Sequence, residues 1–160
     1  GKYPVKAVEA MSQVILGAEK YESSHSPVRH RAEGGVFEKT DEAIAMAVMY
    51  TANHLKVRAI VALTESGSTP LWMSRIRSDI PIYAFTRHEV TRRRVMLYRG
   101  VYPVTFDITH SDAQALYADI FKLMLRTKMV DPGDRIILTK GELTGVSGKT
   151  NAMKILEVRA

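Results

Sequence analysis

The sequence predicts an α/β three-layer sandwich with a five-stranded, mostly parallel sheet whose last strand is antiparallel. Short β-branched runs alternate with windows of helical period, which implies βαβ units. The fourth and fifth apolar runs are joined by a loop alone, Gly141 to Lys149, so the fifth strand should run back along the fourth. Asp131-Pro132-Gly133-Asp134 marks a tight turn before the fourth strand.

Each element has its own signal. Pro4, Val8, Met11 and Ile15, widened by Val5 and Val14, make Tyr3 to Lys20 a helix. From Tyr21 to Lys39 the serines, Pro27, Gly34 and Gly35 break any period, so 21–39 reads as a linker. Residues 1–20 are then an appendage, and 40–160 the α/β domain. Asp41 and Glu42 suit the first turn of a helix whose face is Ile44, Val48, Ala52 and Leu55. A strand follows at 57–63, then a helix at 69–77, a strand at 80–85 and a short helix at 89–97. The third strand is 101–106. Ser111 caps a helix to Lys128 with Leu116, Ile120, Leu123 and Met124 on one face. Strands at 135–139 and 152–158 finish the chain.

Composition bounds the function. A chain of 160 residues suits one domain with an appendage, and buries roughly 70% of its unfolded surface. It has no cysteine, which excludes disulfides and zinc-thiolate sites and fits a reducing compartment. No apolar run reaches the roughly 18 residues of a membrane span, and there is no signal-peptide core, so a cytoplasmic location is expected. The net charge of +6 favours anionic partners.

The strongest functional signal is Val57 to Trp72. A buried strand ends in Thr64-Glu65-Ser66-Gly67-Ser68-Thr69, and Thr69-Pro70 then reads as a helix N-cap and first position. Hydroxyls, backbone N–H groups and a glycine that allows close approach can together hold a phosphate. Glu65 opposes this unless its carboxylate turns away or takes a sugar hydroxyl. The plain alternative is a βα turn with no ligand.

Gly148-Lys149-Thr150 ends like a phosphate-binding P-loop, but the glycine required five residues earlier is Leu143, so that reading is rejected. The glycine-punctuated loop with Gly141, Gly145, Ser147, Gly148 and Lys149 can still fold over a ligand, or simply carry a solvated lysine. Arg87, Arg92, Arg93, Arg94 and Arg99 form a basic group opposed by Glu89. Three consecutive arginines on a helix fan over about 200° and cannot share one groove, which disfavours nucleic-acid binding. One of them reaching a phosphate is the better use. The five histidines show no metal-ligand spacing, and no nucleophile–base pair can be argued.

Taken together, Gly1–Met11, Thr40–Val48, Leu63–Trp72, Tyr98–Pro103 and Gly148–Met153 resemble successive segments of the pyruvate kinase family, in order, over nearly the whole chain. The resemblance is to the C-terminal part of a bacterial member, of the class answering to sugar monophosphates or AMP. It implies that residues 1–20 correspond to the last helix of a catalytic barrel and 40–160 to the C-terminal regulatory domain of a homotetramer. It implies a parent reaction, phosphoryl transfer from phosphoenolpyruvate to ADP with Mg2+ and K+, whose catalytic and metal-binding residues lie upstream of Gly1. The chain alone is then expected to be inactive, with no cofactor of its own. The resemblance puts an effector phosphate on Thr64, Glu65, Ser66, Gly67, Ser68 and Thr69. Gly141 to Lys149 would be its closing loop. It also implies that Glu65 disfavours a bisphosphate.

Overall fold

The computed structural model describes residues 1–25, 36–107, 112–141 and 150–159. The chain divides into two compact units, Gly1–Glu33 and Gly34–Ala160. In the first, α1 (Pro4–His25) runs past the expected end at Lys20. Val8, Met11 and Ile15 of its apolar stripe are 60%, 58% and 56% exposed.

The second unit holds α2 (Thr40–His54), β1 (Ala59–Leu63), α3 (Ser68–Ser74), β2 (Ile82–Thr86), α4 (Glu89–Val95), β3 (Val101–Thr105), α5 (Ala113–Arg126), β4 (Arg135–Gly141) and β5 (Thr150–Glu157). The sheet order is β3-β2-β1-β4-β5. The first four strands are mutually parallel, and β5 is antiparallel to β4, as the helix-free connection requires. The ends differ from expectation for local reasons. β2 starts after Pro81, which has no N–H to give the ladder; only its carbonyl is used, by the Ile60 N–H at 2.9 Å. The cap of α5 is Asp112, whose carboxylate accepts the Ala115 N–H at 2.8 Å. The expected cap, Ser111, lies outside the described residues.

The strands alternate in period two between two apolar clusters. Val61, Leu63, Phe85, Val104, Ile136 and Leu138 face α5, where Leu116, Ile120 and Met124 supply the expected stripe. Ile60, Ile82, Ala84, Val101 and Ile137 face Val48, Met49 and Ala52 of α2, Met73 of α3 and Val95 of α4. On α2 the buried stripe is Asp41, Ala45, Val48, Met49 and Ala52, turned one residue from the expected one; Ile44 is partly buried and Leu55 is the C-cap. Each buried large side chain contributes about 1.5–3 kcal/mol.

This division fixes where a ligand can sit. The helices after β1 and β2 cover one face, and the helix after β3 covers the other. Chain direction across the sheet therefore reverses between neighbours β1 and β4. Open α/β sheets bind ligands at such a switch point, outside the carboxyl ends of the strands. There β1 ends at Leu63 and β4 at Gly141.

Candidate functional site

The turn leaving β1 closes on its own side chains. The Thr64 N–H reaches across to the Phe85 carbonyl at 3.0 Å, which ends the ladder. The Thr64 hydroxyl then accepts the Gly67 N–H at 2.9 Å, and the Ser66 hydroxyl takes a longer bond from the Ser68 N–H at 3.4 Å. Gly67 has φ +82°, and a Cβ there would stand 2.9 Å from Val95 Cγ1. Glycine is thus required twice, by the left-handed backbone and by the close packing of α4. Gly67, rather than Thr69, is the N-cap of α3. The helix starts at Ser68, so Pro70 is its third residue instead of its first. The absent proline N–H still falls among the first four, which have no intrahelical acceptor.

The loop is held from outside as well. Thr91 Oγ1 donates to the Glu65 carbonyl at 2.7 Å, and Arg94 Nη1 donates to the Ser66 carbonyl at 3.2 Å. The Glu65 carboxylate turns toward the end of β2, where it meets His88 Nε2 and lies 3.7 Å from Arg87 Nη2. This removes the objection that Glu65 raises: its charge is met by Arg87. The remaining arginines go separate ways. Arg87 also reaches Asp107 at 3.6 Å, Arg92 bonds the Thr105 hydroxyl and Arg93 pairs with Glu89. One arginine of the group, Arg94, bonds the loop itself.

Two further contacts join the turn to distant parts of the chain. Thr69 is buried, and its hydroxyl bonds that of buried Thr150 at 2.7 Å. Thr150 pairs with Gly141 across the β4–β5 ladder. Both ends of the 141–150 connection are thereby fastened beside the β1 turn. Gly145, Ser147, Gly148 and Lys149 lie outside the described residues. The second contact comes from α2. The first turn of α2 lies beside the turn that leaves β1. There buried Asp41 accepts the Ser68 hydroxyl at 2.7 Å and the Glu42 N–H at 3.1 Å.

Of the expected phosphate ligands, Thr64 and Ser66 use their hydroxyls as acceptors within the turn. The hydroxyls of Ser68 and Thr69 are engaged with Asp41 and Thr150. Sequence reasoning missed Asp41, Thr91 and Thr150 as members of this neighbourhood. Asp41 carried a signal, a carboxylate in a helix first turn, but that signal also fits a solvated charge. Among the described residues no three His, Cys, Asp or Glu side chains converge to hold a metal ion. No helix among those residues is long and apolar enough to cross a membrane.

Residues 42–156 match the family described as pyruvate kinase, alpha/beta domain. The chain is 45% identical to pyruvate kinase II of Salmonella typhimurium over 159 residues, which is 99% of this chain and 32% of the relative. It is 41% identical to the pyruvate kinase of Buchnera aphidicola subsp. Baizongia pistaciae over 99% of this chain and 33% of that one. With the enzyme of Geobacillus stearothermophilus the identity is 35% over 97% of this chain and 26% of the relative. The chain therefore spans about a third or less of the length of the curated relatives it matches. A match over the whole sheet and its helices, at these identities, places the chain in the pyruvate kinase family, as its α/β domain.

Proposed function

We propose that this chain is the regulatory and assembly portion of a pyruvate kinase, and that its β1 turn binds the phosphate of a sugar monophosphate or AMP. The observation that supports this reading is the meeting at the β1/β4 switch point of a hydroxyl-rich turn and both anchors of the 141–150 connection, tied by the Thr69–Thr150 bond. Ser66 and the loop amides would contact the phosphate, Thr64 would brace the turn, and Lys149 would add charge from the closing connection. The parent protein would transfer a phosphoryl group from phosphoenolpyruvate to ADP in the cytoplasm, with Mg2+ and K+ held elsewhere. Residues 1–20 would pack on its catalytic barrel, 21–39 would link, and 40–160 would couple effector binding to contacts within a homotetramer.

A second reading is an assembly domain whose turn binds nothing. It is favoured by the internal bonds that already occupy the Gly67 and Ser68 amides. Titration calorimetry of the chain with glucose 6-phosphate, ribose 5-phosphate and AMP decides between them. At least one should bind. Ser66→Asp should then abolish that binding, because a like charge about 4 Å from the phosphate costs about 4 kcal/mol, roughly a thousandfold in affinity. No heat from any of the three leaves the assembly reading standing. Steeply salt-dependent binding of DNA or RNA would favour the arginine group instead.

A further inference from the structure

The Asp41–Ser68 contact carries a consequence for any anion that enters the turn. Asp41 is 3% exposed, and its two oxygens take the Ser68 hydroxyl at 2.7 Å and the Glu42 N–H at 3.1 Å. Among the described residues no cation forms an ion pair with it. A hydroxyl has one proton to give. With Asp41 as acceptor, Ser68 turns only lone pairs toward other neighbours, and those repel a phosphate oxygen. An arriving phosphate must therefore take the Ser68 proton from a carboxylate that is itself negative, or do without it.

We infer that Asp41 limits the affinity of this turn: it competes with the ligand phosphate for the Ser68 hydroxyl and holds binding below what the loop could reach. The inference rests on the phosphate-binding reading above and adds to it the group that limits that binding. Its sign is unusual. A carboxylate that only supports the fold would weaken binding when altered, whereas a competitor strengthens it.

The test uses the 160-residue chain and ribose 5-phosphate as probe, by titration calorimetry. Asp41→Asn is isosteric, and an amide oxygen is a poorer acceptor than a carboxylate. It should tighten binding about tenfold, with the thermal midpoint measured alongside. In the Ser68→Ala background the same substitution should change affinity less than about twofold, since no proton is left to contest. Asp41→Ser, which removes the charge with a smaller side chain, should also tighten binding. Unchanged or weaker binding by both Asp41 variants, with the wild-type chain binding normally, overturns this inference alone. So does an equal gain in the Ser68→Ala background, which would mean that Asp41 acts through space. No binding of ribose 5-phosphate, glucose 6-phosphate or AMP by the wild-type chain or any variant overturns the phosphate reading, and this inference with it.

Discussion

Helices α1 and α5 carry apolar stripes of the same spacing and meet opposite environments. On α5, Leu116, Ile120 and Met124 are 5%, 0% and 0% exposed. On α1, Val8, Met11 and Ile15 are more than half exposed. The difference teaches what a hydrophobic period encodes. It specifies helical conformation and a face to be covered, while the cover itself is a matter of partners far along the chain or beyond it. For α5 that cover is the sheet face built by β1, β2, β3 and β4. For α1 we propose a neighbouring domain of a longer protein.

The comparison is broken most directly by making one chemical change in both helices. Ile120→Ala should cost about 3 kcal/mol in a urea melt, because it empties a fully packed position. Ile15→Ala should move stability by less than about 0.5 kcal/mol. Similar losses would mean that the α1 stripe is covered in solution. A smaller contrast separates glycines. Gly67→Ala forces a Cβ to 2.9 Å from Val95 and into a positive φ, and should cost about 2–3 kcal/mol. Gly100→Ala has φ +67° but open space, and should cost about 1 kcal/mol. Equal costs would show that the turn yields to α4 without penalty. The smallest expected effect sharpens the burial argument for polar groups. Thr69→Val and Thr150→Val should each cost about 1–2 kcal/mol by orphaning the other hydroxyl, while the double variant should cost less than their sum. Strict additivity would remove the bond from the account.

The alternation of strands and helices, and the antiparallel direction of β5, were legible because each rests on a short window: a period of two, a period near 3.6, and a connection too short for a crossover. The order β3-β2-β1-β4-β5 was not, since it depends on which face each helix covers. At the site the turn itself was readable from its hydroxyls and glycine. Its surroundings were not. The orientation of Glu65 depends on Arg87 and His88 at the end of a different strand, and the burial of Thr69 depends on Thr150, 81 residues away. Even the helix start moved by two residues, with Gly67, packed tightly against α4, as the cap in place of Thr69.

The pairing of Gly141 with Thr150 has one more result. With its stem closed by the ladder and bolted to Thr69, the sheet does not register how many residues are strung between those two anchors. Doubling such a span costs only about 0.6 kcal/mol of closure entropy. The segment between the two anchors can thus be lengthened, shortened or rewritten with little effect on folding, so the fold leaves its sequence free to change.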